Sequence, residues 1–182
     1  MKVAIGYKIQ KGPWGGGNNF ARSLSSYLKD KGCKVVYDLS DKDIDIILLT
    51  DPRGTSPQIT IDAGKIIRYI YLKKKDVIIV HRINECDERK GTNNMNSLLK
   101  RANYVSDHTV FIASWLKELN LWQKNKKNNV ILNGGDTNIF NDINGSYWKK
   151  NKPLKLVTHH WGGNHLKGMD IYLKLDELLS DM

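Results

Sequence analysis

The chain has 182 residues, of which 40% are hydrophobic and 26% are charged, as in an ordinary soluble globular protein. Its length suits one domain, or one domain and part of another, and no apolar run approaches the length of a membrane span. Two cysteines, Cys33 and Cys86, are too few for a disulfide framework or a cysteine metal site, so a reducing cytoplasm is the expected compartment.

The formal net charge of +10 is the most unusual bulk property of the chain. Such a balance suits binding to nucleic acid, to an anionic membrane surface or to phosphorylated substrates. A solvated lysine-rich surface explains each single cluster equally well. The clusters lie at Lys73–Lys75, at Lys124, Lys126 and Lys127, and at Lys149, Lys150 and Lys152.

A glycine-rich stretch, residues 12–20, follows a short buried strand predicted over residues 2–6. Glycines before a helix allow backbone N–H groups to approach a phosphate closely. Neither familiar phosphate motif fits, however. Counted as a P-loop, the stretch has Asn18 and Asn19 where lysine and serine or threonine are required, and a dinucleotide fingerprint meets Phe20 instead of its third glycine. A phosphate site and a flexible strand-to-helix turn both remain open.

The next predicted elements alternate between helix and strand. Asn18 or Asn19 is the expected N-cap of a first helix, and Gly32 is its expected stop. A second helix is expected over residues 62–74, with Ile66, Ile67 and Ile70 facing inward. The first helix has an apolar face of Phe20, Leu24, Tyr27 and Leu28, and strands are predicted at Lys34–Tyr37, Ile44–Leu49 and Val77–Val80.

A dense polar segment, residues 81–92, follows the fourth predicted strand. Ligands of open α/β sheets bind at the carboxyl ends of strands, so this position favours a functional role. Further along, Ser114 is the expected N-cap of a helix over Trp115–Leu119. The other expected elements are a helix over Met95–Ala102, strands at Thr109–Ile112, Val130–Leu132 and Leu154–Thr158, a linker over residues 141–152, and a helix from Lys167 with Ile171, Leu175 and Leu178 on one face.

This alternation predicts an α/β, Rossmann-like parallel sheet with helices on both faces. Because the pattern restarts after the linker, we expect two domains. The first is a Rossmann-like domain with its linker over residues 1–150, and the second is the beginning of another Rossmann-like domain over residues 151–182.

Four segments stand out along the chain: Gly15-Gly16-Gly17-Asn18-Asn19-Phe20, His81 to Lys90, Val130-Ile131-Leu132-Asn133-Gly134-Gly135-Asp136, and Leu156 to Trp161 with Lys167-Gly168-Met169-Asp170. In this order they resemble retaining GT-B glycosyltransferases of the family-four type. The resemblance extends along nearly the whole chain. Leu132 and Gly135 replace the proline and valine of that family's link between domains, and no arginine stands near Trp161.

The resemblance implies an acceptor-side domain followed by the first strand and helix of a donor domain. It implies metal-independent, retaining transfer of a sugar from a nucleotide sugar to a saccharide or lipid-linked acceptor, as in polysaccharide biosynthesis. No cofactor and no metal are expected. The 182 residues alone are expected to be inactive, because the family's carboxylate motif for the nucleotide sugar would lie beyond them.

The resemblance also suggests roles for individual residues. Gly16, Gly17 and Lys167 are implied to bind the donor phosphate. His81 is the candidate catalytic residue, either as a hydrogen-bond partner of a sugar hydroxyl or in proton transfer; a strand-end histidine bonded to backbone is the alternative. The substrate-binding candidates are Asn18, Arg82, Asn84 and Trp14, with Trp161 as a second stacking residue, whereas Trp115, Trp122 and Trp148 are expected to pack.

We expect a cytoplasmic protein that makes peripheral contact with the anionic inner membrane through its basic clusters. No nucleic acid partner is expected, since no recognition helix, zinc knuckle or RNA-binding motif is visible in the sequence. The alternative function is a non-catalytic basic α/β domain that binds nucleic acid or a partner chain.

Overall fold

The computed structural model describes residues 1–12, 14–153, 155–157 and 167–180. The chain divides into two compact units, Met1–Leu132 and Asn133–Met182. The boundary near residue 150 and the Rossmann-like nature of the second domain stay predictions. Within these described ranges, no helix is both long and apolar enough to cross a bilayer.

The first unit contains an open, all-parallel sheet, and this confirms the predicted α/β Rossmann-like fold. In the register of the sheet, Leu49 lies beside His81, and His81 lies beside Thr109. Over the described residues the sheet has six strands in the order β2-β1-β3-β4-β5-β6. Their bounds are β1 Lys2–Ile5, β2 Lys34–Val36, β3 Ile46–Leu49, β4 Ile78–Ile83, β5 His108–Phe111 and β6 Lys127–Val130.

Helices cover both faces of this sheet, as predicted. Short 3₁₀ turns follow α4 at Asn103–Val105 and follow β5 at Ser114–Glu118. The helices of the described residues are α1 Gly15–Asp30, α2 Ala63–Leu72, α3 Asp87–Lys90, α4 Met95–Ala102 and, in the second unit, α5 Met169–Ser180.

Strands buried on both faces explain the continuous apolar runs in the sequence. Successive side chains along β1, β3 and β4 point to opposite faces of the sheet and contribute to two separate cores. One core joins Val3, Ile5 and Leu48 to Ala21 of α1, and the second joins Ala4, Ile47, Leu49 and Ile79 to Ile66 and Tyr69 of α2.

A third buried cluster lies where the ends of β4 and β5 meet α4 and the following loop. The rings of Phe111 and Trp122 meet edge to face, with centroids 5.2 Å apart and an interplanar angle of 76°. The packing role predicted for Trp122 is therefore confirmed. The other members of the cluster are Ile83, Cys86, Met95, Leu99, Leu116 and Leu121.

Two predictions about α1 have different outcomes. The helix begins at Gly15 with Trp14 as its N-cap, so the prediction of an asparagine cap is wrong. The reason is that the Asn18 side chain bonds to the backbone of Gln10 instead. The predicted stop at Gly32 is confirmed, because Gly32 follows the helix with a φ of 77°, in the left-handed region that favours glycine.

β4 is longer than predicted and does not end at Val80. It continues through His81 and Arg82 because its pairing with β5 persists as far as Ile83 opposite Phe111. The two polar side chains are therefore inside the strand, on opposite faces of the sheet, rather than in a following loop.

Other boundaries and faces also differ from the predictions. β6 begins at Lys127 rather than Val130, because it pairs with β5 from His108 onward. On α2, Ile67 is 44% exposed and Tyr69 takes the inward position. Ala113, not Ser114, precedes the 3₁₀ turn after β5.

The second unit is described by itself. Residues 141–152 contain turns and no helix or strand, as the predicted linker requires, and α5 confirms the helix expected after Lys167. Trp148 is 53% exposed, which differs from its predicted packing role. The ends of the predicted strand at Leu154 and Thr158, and Trp161, lie outside the described residues.

Candidate functional site

The strand order places a topological switch point at the carboxyl edge of the sheet, between β1 and β3. Connections from these neighbouring strands leave toward opposite faces, and open α/β sheets bind ligands at such a switch point. Gly6 N–H donates to the Leu48 carbonyl at 3.1 Å, and Lys8 N–H donates to the Gln58 carbonyl at 2.7 Å. The loops after β1 and β3 are therefore tied together at this edge of the sheet.

The N-terminus of α1 lies directly after the loop that follows β1. Its first turn is built from Gly15, Gly16 and Gly17, and no side chain caps it. A Cβ added at Gly15 or Gly16 would meet nothing within 4 Å, whereas one at Gly17 would lie 3.4 Å from the Tyr7 ring. Amide groups of a first helical turn lack intrahelical acceptors. They are therefore available to an anion that approaches Gly15 and Gly16.

Asn18, a predicted substrate ligand, lies at this helix end but is fully buried. Its Oδ1 accepts the Gln10 N–H at 2.7 Å, and its Nδ2 donates to the Gln10 carbonyl at 3.0 Å. Both polar ends of the side chain therefore hold the loop after β1 against α1. Trp14, the predicted stacking residue, is 45% exposed beside this loop.

An ion-pair network crosses the loops after β3 and β4. Arg53 donates from Nε to Asp51 Oδ1 at 2.9 Å, and from Nη2 to Glu85 Oε2 at 2.8 Å. Lys90 Nζ lies 3.0 Å from Glu85 Oε1. Burial, together with the nearby Asp51 charge, raises the pKa of Tyr7. The network of Asp51, Arg53, Glu85 and Lys90 holds the two loops together.

No functional role was predicted for Asp51 or Arg53 from the sequence. The available signal was an acidic and a basic residue two positions apart, directly after a buried strand. Asp51 also accepts the Arg53 backbone N–H at 2.8 Å, so the local spacing fixes both the turn and the guanidinium.

Arg82 lies on the α1 face of β4, where its guanidinium carbon is 3.8 Å from the centre of the Phe20 ring. Burial lowers the pKa of Arg82 to about 10. Asn84, the next predicted substrate ligand, is half-buried after the strand, and its carbonyl accepts from Arg89 Nη1 at 2.8 Å. Cation–π packing against Phe20 is thus one contact that holds Arg82 on this face of the sheet.

His81 lies on the opposite face of β4 and is fully buried. Its Nδ1 is 3.0 Å from Nδ2 of Asn103, which also donates to Thr109 Oγ1 at 2.9 Å. Within the described ranges, its Nε2 is buried without a hydrogen-bond partner. Burial lowers the pKa of His81 to about 3, against the opposing effect of Asp51. At neutral pH the ring is uncharged and is a weak base.

The predicted site residues are therefore only partly brought together. Gly16, Gly17, Asn18 and Trp14 share the N-terminus of α1, while His81 and Arg82 diverge to opposite faces of the sheet. Lys167 is exposed in the second unit. Among the described residues, no group of three or more His, Cys, Asp or Glu side chains is arranged to hold a metal ion.

Asp87 organises the polar segment after β4. Its carboxylate accepts from Thr92 Oγ1 at 2.5 Å, from Met95 N–H at 2.8 Å and from Asn96 N–H at 3.0 Å. In return, Asn96 Oδ1 accepts the Asp87 N–H at 2.9 Å. These bonds satisfy first-turn amides of α4 in the way that an N-cap does.

We expect Asp87→Ala to lower the free energy of unfolding by about 1–2 kcal/mol, because it leaves these amides without an acceptor. Urea titration followed by circular dichroism measures the loss. Asp87→Asn is the matched control, since its amide oxygen keeps one acceptor and should recover part of the stability. Equal stability of Asp87→Ala and the unaltered chain would contradict this role.

Neither a protein-family model nor a curated protein matches the chain.

Proposed function

We propose that this chain carries the acceptor-side domain of a retaining GT-B glycosyltransferase of the family-four type. The proposed reaction transfers a sugar from a nucleotide sugar to a saccharide or lipid-linked acceptor. The observation that carries the proposal is the uncapped N-terminus of α1, which begins on three glycines at the switch point of the sheet. The ordered motifs of the sequence support the same family.

The chemistry of such a transfer explains why this helix end matters. A departing nucleoside diphosphate carries negative charge that must be stabilised in the transition state. The N-terminus of a helix offers a partial positive charge and free N–H groups, and it needs no metal ion to do so. Gly16 leaves that surface open, because no atom lies within 4 Å of its missing Cβ.

Other residues receive roles that are consistent with their positions. Trp14 presents an exposed ring beside the helix end, where it is suited to stack on a sugar or base. Lys167 is proposed as a diphosphate ligand on the family resemblance alone. Arg82 supports the site indirectly, because its stacking on Phe20 fixes a side chain of the same helix.

We expect nucleoside diphosphates to shift the amide NMR signals of Gly15–Gly17, and Gly16→Asp to weaken this binding at least about tenfold. The new carboxylate would repel the phosphate, whereas it should slightly stabilise the helix, by about 0.3–1 kcal/mol. Titration of the ¹⁵N-labelled chain with UDP, GDP and ADP, and with one sugar conjugate of each, measures both effects.

Ser26→Asp is the matched control for this test. Ser26 is exposed on the same helix, away from its N-terminus, so the substitution changes the net charge equally without touching the first turn. It should leave the affinity nearly unchanged. Equal binding by the Gly16→Asp and Ser26→Asp variants would contradict a phosphate site at this helix end.

Random-sequence DNA provides the test of the alternative function. Tight binding that falls steeply with salt, without any response to nucleotides, would favour a basic nucleic-acid-binding domain over the proposed transferase.

A further inference from the structure

The side chain of Asn103 is the centre of a buried hydrogen-bond network behind β4. Its Oδ1 accepts the backbone N–H of Gln123 at 2.8 Å. Its Nδ2 lies 3.0 Å from Nδ1 of His81 and 2.9 Å from Oγ1 of Thr109. Asn103, His81 and Thr109 are all fully buried. None of these groups can therefore exchange its partner for bulk water.

A lysine fixes the backbone of the same turn. Lys126 Nζ donates to the carbonyl of Asn103 at 3.2 Å, to that of Tyr104 at 2.5 Å and to that of Ser106 at 2.7 Å. These three acceptors belong to the 3₁₀ turn after α4 and the residue that follows it. Asn103 is thus held in place independently of its contact with His81.

The network determines which ring nitrogen of His81 carries the proton. The backbone N–H of Gln123 can only donate, so the atom of Asn103 that faces it must be the amide oxygen. The amide NH₂ group must then face His81, and His81 Nδ1 must accept. A neutral imidazole that accepts at Nδ1 carries its hydrogen on Nε2.

The resulting Nε2–H group is a buried donor without an acceptor in the described part of the chain. A buried donor that is left unpaired destabilises the folded chain, so an acceptor from outside the chain is favoured. Asp51, the carboxylate whose charge acts on the ring, is bonded by Arg53 and does not lie within hydrogen-bonding distance of Nε2. An oxygen atom of a small molecule would satisfy this donor.

We propose that Asn103 is a positioning residue that holds His81 as its neutral Nε2–H tautomer, so that His81 donates a hydrogen bond to an oxygen atom from outside the chain. That atom belongs to a buried water or to a bound ligand. In the ligand case the inference rests on the proposed transferase function, and it makes His81 a hydrogen-bond donor to a substrate oxygen rather than a base. The tautomer itself does not depend on that function.

Long-range ¹H–¹⁵N NMR spectra of the chain with ¹⁵N-labelled histidine test this proposal at pH 7, and His81→Gln assigns the signals. We expect a protonated Nε2 and an unprotonated Nδ1. Asn103→Asp keeps the shape of the side chain but presents a carboxylate oxygen to Nδ1, so it should move the proton to Nδ1 or produce an imidazolium ring. Thr109→Val removes only the neighbouring hydroxyl and should leave the tautomer unchanged.

The spectrum of the unaltered chain shows which ring nitrogen of His81 carries the proton, even if Asn103→Asp fails to fold. A proton on Nδ1, or an imidazolium ring at pH 7, would overturn the proposal. A cross-peak between the Nε2 proton and a long-lived water supports it with water as the acceptor. A change in the Nε2 signal on addition of the UDP, GDP and ADP sugars supports it with a ligand oxygen as the acceptor. Failure of these nucleotides to bind near Gly16 would leave the tautomer assignment intact, so the two proposals fail separately.

Discussion

Acidification from pH 6.5 to pH 4.5 is expected to lower the free energy of unfolding by about 2.3 kcal/mol through His81 alone, with a slope that approaches about 1.36 kcal/mol per pH unit below pH 5.5. Burial lowers the pKa of His81 to about 3 in the folded chain, with a further lowering from Lys126 and an opposing effect from Asp51. The same imidazole titrates at about 6.5 when it is solvated.

The sign of this effect follows from proton binding. Below pH 6.5 the unfolded chain takes up a proton at His81, whereas the folded chain does not until the pH approaches 3. The stability contributed by the buried neutral ring is therefore fully present above pH 6.5 and decreases steadily as the pH falls through this window. Four aspartates, Asp38, Asp43, Asp45 and Asp87, have lowered pKa values and lose their contributions mainly at still lower pH.

Urea titrations at half-unit steps between pH 7 and pH 4.5 measure the slope. His81→Gln is the comparison, because a neutral amide cannot titrate and should remove most of the slope in this range. If that variant does not fold, the slope of the unaltered chain still decides. A stability that is independent of pH between 6.5 and 4.5 would show that the ring is solvated or already charged in the folded state.

We expect Phe111→Ala to lower the free energy of unfolding by about 3–5 kcal/mol. Phe111 is fully buried at the end of β5, and its ring meets Trp122 edge to face at 5.2 Å. The substitution removes this ring contact and leaves a cavity among side chains of β4, α4 and the loop after β5. Because that cluster also contains Cys86, the segment after β4 should lose order first.

Urea titration followed by tryptophan fluorescence measures this loss. Phe111→Leu keeps most of the apolar volume and should cost less than about 1.5 kcal/mol. Phe140→Ala is the matched exposed control, since Phe140 is 75% exposed and its removal should have almost no effect. A loss for Phe111→Ala below about 1 kcal/mol would mean that the cluster repacks around the gap.

The fold could be predicted from the sequence because its signals are local. Apolar residues at helical spacing marked α1 and α4, and uninterrupted apolar runs marked the buried parallel strands. The extent of β4 could not be predicted, because His81 and Arg82 look like loop residues. Whether they continue a strand depends on pairing with β5, more than 20 residues further along the chain.

The candidate site was predictable to a similar degree. The glycines were correctly predicted to lie between the first strand and the first helix, because this placement is a local property of the sequence. The burial of His81 was not predictable, because its partner Asn103 lies 22 residues away along the chain. No local sequence pattern indicates that these two side chains pair. The role of Asn18 was missed for a related reason: an asparagine at a helix start predicts a cap, and only the path of the preceding loop shows a different bond.

The two hydrogen bonds between the Asn18 side chain and the Gln10 backbone affect the entropy of ligand binding. A glycine-rich loop that orders only on contact loses about 1–2 kcal/mol of backbone conformational entropy for each residue that becomes fixed. Here the loss at Gln10 has already occurred during folding, and the bond from Lys8 to Gln58 extends this order toward β3. An anion that binds at Gly16 therefore meets a loop that is already ordered, and its binding does not include the entropy loss of fixing that loop.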